Sequence, residues 1–392
     1  DCDWSSDVCS SDLPDLRESG KTLCFWKKKG KLFLIGAVAA GIGIGFTGCG
    51  QRKREDATEG FTKQESVEAD QREVKEQQRD MNQQGEEKPQ REMNQQTEGF
   101  ESSEAILEGK EDQLLLPERF DYREMGRMPK AGDQGNLGTC WAFSSLMAME
   151  TVLLPDEVWD FSEDHMSLKN SFFLGQEEGG QYAMSMAYLL AWQGPVTEEE
   201  DPYGDGHSPD GLAPSKHVQE VRILEPKNYD RIKRAVYQTG GVQSSLFTRL
   251  QNSSDTDRYY NKETVSYYYP GSQRANHNVV IIGWDDHYPK ERFNNEPEGD
   301  GAFICLNSWG PDFGEEGCFY VSYYDTNIGD VNVLYSGITD PDYYTGIYQS
   351  DLCGWIGQVG YGREEAYFAN RYQARGREML KAVGFYATMP GT

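Results

Sequence analysis

The chain is short of basic residues. Lys and Arg number 38 against 65 Asp and Glu, a formal charge of −27 over 392 residues. That balance argues against a nucleic-acid partner and supports solubility outside the cell. There is no His-Glu-x-x-His and no paired Cys-x-x-Cys, so neither a metal nor another cofactor is expected. The apolar run 32–48 has 17 residues, short of the roughly 20 that a membrane-spanning helix needs. Cysteine is sparse: eight in all, of which Cys140, Cys305, Cys318 and Cys353 fall in the part expected to fold. So few in an exported chain of this size fits a bacterial protein better than a lysosomal one from an animal. Cys305 and Cys318 lie on strand-like runs either side of Asn307, and both a cross-strand disulfide and two buried thiols are open to them.

The front of the chain divides by composition. Residues 1–13 are set apart, because 3–13 resemble translated sequencing-adapter sequence. Residues 14–48 read as an export signal: Lys27, Lys28, Lys29 and Lys31 precede the short apolar run. Its end, Phe46-Thr47-Gly48-Cys49, resembles a bacterial lipobox, which implies lipidation of Cys49 and a membrane partner through that anchor. An uncleaved anchor and an ordinary secretory signal are the alternatives. Residues 49–115 are dominated by Glu, Gln, Lys, Arg and Asp, with few large apolar side chains, and are expected to be a disordered acidic tether. An inhibitory propeptide is the rival, with only 105–116 offering an amphipathic hint.

The chemistry-bearing segment is Asp133-Gln134-Gly135-Asn136-Leu137-Gly138-Thr139-Cys140-Trp141-Ala142-Phe143-Ser144. A small-residue turn delivers a cysteine into an apolar, helix-competent run, 141–154. Unpaired N–H groups and the dipole at a helix start favour an anion, so a thiolate is expected there. A nucleophilic cysteine needs a base, and the base needs an orienting group. His277 opens the buried-strand pattern His277-Asn278-Val279-Val280-Ile281-Ile282. It is preferred to His287, which sits in a polar stretch, because a strand start is the more rigid support. Asn307 follows the apolar run 302–306 and begins Asn307-Ser308-Trp309-Gly310.

His277 lies 137 residues after Cys140, inside the window of about 130–150 seen between cysteine and histidine in papain-like peptidases. Over residues 117–340 the chain resembles that family. The resemblance implies Cys140 as nucleophile, His277 as general base and acid, and Asn307 as the residue that holds the imidazole. It further implies Gln134 as the side-chain donor to the oxyanion and Trp309 as the shield over the Asn–His contact. Gly179-Gly180 resembles the glycine pair whose backbone meets an extended peptide substrate. Many relatives carry a disulfide-bonded cysteine at the position of Leu137, so the turn here is expected to be held by packing instead.

The expected fold is α+β. It is a papain-like two-lobed domain over 116–336, with helical runs at 141–154, 181–192 and 229–239 and strands at 241–247, 279–284, 302–306 and 318–324. The tyrosines 259–260 and 267–269 are open to two readings, lining the cleft between the lobes or, more plainly, an exposed strand edge. Residues 337–392, with a strand-like run at 380–388, resemble the start of the all-β lectin-like domain that follows some bacterial papain-like peptidases. The resemblance implies a possible glycan partner. The chain is expected to be a fragment at both ends. The function implied is a cell-surface cysteine peptidase. An adhesin with a peptidase-like domain and a transpeptidase using the same thioester are the alternatives.

Overall fold

The computed structural model describes residues 22–23, 115–357 and 368–387. The adapter-like segment, nearly all of the signal region with Cys49, and the tether up to residue 114 lie outside the described residues. The fold is α+β. Helices α1 (Cys140–Leu153), α2 (Glu163–Lys169) and α3 (Tyr182–Leu190) fill the first half. The second half is a sheet with one helix, α4 (Tyr229–Gln238).

The strands are β1 (Arg119–Asp121), β2 (His217–Leu224), β3 (Val242–Leu246), β4 (Tyr260–Asn261), β5 (Ser266–Tyr267), β6 (His277–Asp285), β7 (Ala302–Leu306), β8 (Cys318–Ser322) and β9 (Asn332–Thr339). They form one nine-stranded sheet in the order β2-β9-β3-β6-β7-β8-β5-β4, with β1 added against the far end of β6. All pairings are antiparallel except β5 with β8.

α1 is apolar nearly all round, and 12 of its side chains are buried, as a helix running through a core requires. β6 is apolar on both faces because both are covered, with α1 packed against it. β1 runs antiparallel along the end of β6, and at Gly283 a Cβ would lie 2.2 Å from the Phe120 carbonyl oxygen. The β6–β7 ladder shifts register between Ile281 and Gly283.

Two expectations are corrected. Tyr259, Tyr260, Tyr267 and Tyr269 are buried, not an exposed edge. β4 and β5 do end the sheet, but their rings pack into an aromatic cluster with Phe247, Phe313 and Phe319. The run at 380–388 forms no strand over its described residues, 380–387. A strand exists only through a partner, and the ladder described in this region joins residues 22–23 to Arg371–Tyr372. Cys305 and Cys318 are free thiols. In the β7–β8 register Cys318 opposes Leu306 and Cys305 opposes Phe319, which puts the two sulfurs on opposite faces of the sheet.

Candidate active site

Cys140 is the first residue of α1, so its N–H has no intrahelical acceptor. The turn before it is held by hydrogen bonds more than by packing, since Leu137 is only half-buried. Gln134 Nε2 donates to the Leu137 carbonyl at 2.7 Å, Leu137 N–H returns to the Gln134 carbonyl at 3.3 Å, and Gly138 N–H donates to the Gln176 carbonyl at 2.8 Å.

The same turn is fastened to the 307–310 turn across the molecule. Gln134 N–H donates to the Ser308 carbonyl at 2.9 Å, and Gly310 N–H donates to the Gly132 carbonyl at 2.9 Å. Ser308 Oγ donates to Gln134 Oε1 at 2.6 Å. The Leu137 carbonyl, which can only accept, fixes which end of the Gln134 amide is nitrogen. Its nitrogen keeps one N–H for Leu137 and has a second to give.

His277 enters from the start of β6, beside Leu246 of β3. Its Nε2 lies 2.7 Å from Asn307 Oδ1. Asn307 Oδ1 also accepts from Ser308 N–H at 2.9 Å, so this atom is the acceptor and Nε2 is the donor. The tautomer leaves Nδ1 as the basic nitrogen. Trp309 stacks on the imidazole, with centroids 4.8 Å apart and planes 24° apart, and it is buried. Asn307 is fully buried, and its Nδ2 has no hydrogen-bond partner among the described residues. Such a group costs about 1–3 kcal/mol. The site therefore holds Asn307 for its oxygen.

Burial alone would raise the Cys140 thiol. Hydrogen bonding to His277, the charge of His277, and then hydrogen bonds from the Asn278 side chain and backbone outweigh it and hold the thiol below its ordinary value. Cys305 and Cys318 provide the contrast. Burial pushes Cys305 well up and Cys318 up to about 12, as inert core thiols.

A cleft of about 1180 Å³ runs past the sulfur, and it is lined by Gln134, Cys140, Gly179, Gly180, His277 and Trp309 among others. All seven site residues read from the folded part of the sequence thus meet in one place, six of them on the cleft wall and Asn307 behind His277. Gly180 has no room for a side chain, because a Cβ would lie 2.3 Å from Trp141 Nε1. His287 is far more exposed and pairs with Glu118 at 3.1 Å.

Three residues were missed in the sequence. Ser308 orients Gln134 and Asn307. Asn278 reaches Cys140 Sγ with its Nδ2 at 3.7 Å. Ser245, its register partner on β3, places a buried, unpartnered hydroxyl at the cleft wall. Strand alternation would send residue 278 away from the face that carries His277, which is why adjacency gave no signal.

An α+β fold that presents a thiol, an imidazole and a carboxamide in this order defines a papain-type thiol site. The family description "Papain family cysteine protease" matches residues 116–339, more than half of the chain, and the chain belongs to that family. Residues 347–392 match the description "Lectin like domain". The chain is 28% identical over 229 residues to the viral cathepsin of Epiphyas postvittana nucleopolyhedrovirus, covering 56% of this chain and 64% of that protein. It is also 28% identical over 222 residues to germination-specific cysteine protease 1 of Arabidopsis thaliana, covering 54% and 53%. Among solved structures it resembles the cysteine protease and lectin-like domains of Cwp84, a surface layer associated protein of Clostridium difficile. That match has a TM-score of 0.53 and 28% identity, over 59% of this chain and 54% of that one. The chain spans less than two thirds of the length of each of these relatives.

Proposed function

We propose that the protein is a cysteine-type peptidase working at a bacterial cell surface. The observation that carries this reading is that Cys140 and His277 line one cleft, with the imidazole hydrogen-bonded to Asn307 and the thiol held below its ordinary value chiefly by His277. His277 takes the thiol proton at Nδ1, giving a thiolate–imidazolium pair. The thiolate attacks the scissile carbonyl, and the Cys140 N–H with the second Gln134 N–H receives the oxyanion. As the intermediate collapses, the C–N bond breaks and imidazolium protonates the leaving amine. Water, deprotonated by the now neutral imidazole, attacks the thioester and releases the acid and the thiolate. Asn307 keeps Nδ1 pointed at sulfur throughout, and Trp309 keeps water from the Asn307–His277 bond.

Gly179-Gly180 suits the backbone of an extended peptide. The location rests on the lipobox-like Phe46-Thr47-Gly48-Cys49 and on the surface-layer association stated for Cwp84. In this reading Cys49 carries the lipid at the start of the tether, residues 49–115, and the lectin-like segment contributes glycan binding. The domains run 116–336 and 337–392.

The direct test is labelling of the purified protein with an epoxide inhibitor of papain-type enzymes, followed by peptide mapping. An adduct on Cys140 is expected, and a folded protein without one overturns the peptidase reading. Labelled palmitate should enter the wild type and not Cys49→Ala, and equal incorporation would remove the anchor.

A further inference from the structure

We propose that Asn278 is a further catalytic residue, whose side-chain amide donates a hydrogen bond to Cys140 sulfur and steadies it as the anion. The proposal rests on the reading of Cys140 as the nucleophile. The geometry is direct. Nδ2 lies 3.7 Å from Sγ, within the range of N–H to sulfur contacts. Asn278 is half-buried at the cleft wall, one residue from His277 and opposite Ser245 in the β3–β6 register. A serine there is small enough to leave the longer amide room to reach forward. Its own hydroxyl is buried and has no hydrogen-bond partner among the described residues, so it does not hold the Asn278 amide back from the sulfur.

The chemical consequence follows from charge. An amide N–H gains most when its acceptor is an anion, so the contact favours thiolate over thiol. It is independent of Asn307, which acts on the other side of the imidazole. His277 stabilises the anion by charge, but it gives its proton to the leaving amine and regains one from water during turnover. Asn278 has no proton to lose and stays a donor through both half-reactions. Its backbone also favours the thiolate, so replacing the side chain removes one part of the support and leaves the other. His277, from β6, is the titratable group that acts on the sulfur. Glu177, Glu178 and Arg249 line the same cleft but do not rank among the leading interactions on the thiol.

The test measures the rate of Cys140 alkylation by iodoacetamide against pH in the full chain, which reports the thiolate without any peptide substrate. Asn278→Leu keeps most of the volume and removes the donor, and Asn278→Ala removes both. The apparent midpoint of the acid limb belongs to the Cys–His pair. It is expected to rise by roughly half to one pH unit in both variants, the size of the difference between a hydrogen bond to a charged group and one to a neutral group. An unchanged midpoint in folded variants overturns the proposal, even where Tm falls, because a packing role moves stability alone. If neither variant folds, the unaltered protein decides. The side-chain amide NMR signals of Asn278 should shift with the same midpoint as the alkylation profile, and signals that ignore it refute the contact. A protein in which Cys140 is not alkylated at all fails at the earlier step, the nucleophile itself.

Discussion

Replacing Gln134 with alanine separates positioning from chemistry at this site. The structure gives the amide three tasks: a bond to the Leu137 carbonyl at 2.7 Å, a bond from Ser308 Oγ at 2.6 Å, and a spare N–H at the cleft. The first two are neutral bonds worth about 1 kcal/mol each, so Gln134→Ala should lose about 2 kcal/mol of stability. For a domain of this size that lowers Tm by roughly 4–8 °C. The third task matters only as negative charge develops on the carbonyl oxygen. Losing one such donor costs about 100- to 1000-fold in kcat, with KM little changed. Ser308→Ala is the control. It removes one bond to Gln134 and leaves the N–H donor in place, so it should cost about 1 kcal/mol and less than about tenfold in rate. The assay is kcat and KM on a quenched fluorescent protein substrate, well below Tm, with melting followed in parallel. Equal rate losses in the two variants, or a folded Gln134→Ala within about fivefold of wild type, would refute the oxyanion role.

Other perturbations test the surroundings. Burial raises the carboxyls of Glu150 and Glu163 well above the usual 4.5. The folded state then holds protons that the unfolded chain has released, so their contribution falls as pH rises from about 5. Glu150→Gln and Glu163→Gln should therefore gain stability relative to wild type as the pH of urea denaturation goes from about 5 to 8, and a constant difference would count against buried, protonated carboxyls. Gly180→Ala forces a methyl onto the Trp141 indole, where overpacking costs about 1–3 kcal/mol. A Tm equal to wild type by calorimetry would contradict that contact. In the native protein a thiol reagent should modify Cys140 quickly, while Cys305 and Cys318, both fully buried, should react only after denaturation. Fast labelling of either by mass spectrometry would show that the β7–β8 ladder opens. Trp309→Ala should lower kcat by exposing the Asn307–His277 bond to water, and an unaltered kcat would remove its shielding role.

Much was legible in local strings because local physics decides it. Helix α1 starts where a Gly-rich turn meets a mostly apolar, helix-competent run. The strands β6, β7 and β8 follow buried apolar runs, and their ends fell within a few residues of the expected ones. Features that depend on a distant neighbour were not legible. The tyrosines of β4 and β5 look like an exposed edge until Phe247, Phe313 and Phe319 arrive from elsewhere in the chain. The 380–388 run has strand composition but no partner ladder over its described residues. At the site, Ser308 and Asn278 had no spacing signal of their own. One acts by touching Gln134, which lies 174 positions away in sequence. The other reaches a sulfur 138 positions away, against the alternation of its own strand.

By itself the sequence determined the kinds of chemistry available. A cysteine at a helix start, a histidine at a strand start, an asparagine after an apolar run and a glutamine six residues before the cysteine make a thiolate mechanism possible. It also determined the family, since those residue types recur at characteristic spacing. The tertiary structure decided which atoms do what. Two turns, at 132–138 and 307–310, are tied by backbone hydrogen bonds; the Leu137 carbonyl and Ser308 Oγ orient the Gln134 amide, and Ser308 N–H makes Asn307 Oδ1 an acceptor, so that Nε2 of His277 donates and Nδ1 is left to the thiol. Spacing along the chain constrains which residues can meet, whereas the orientation of a hydrogen bond is set by the third group that each partner also binds.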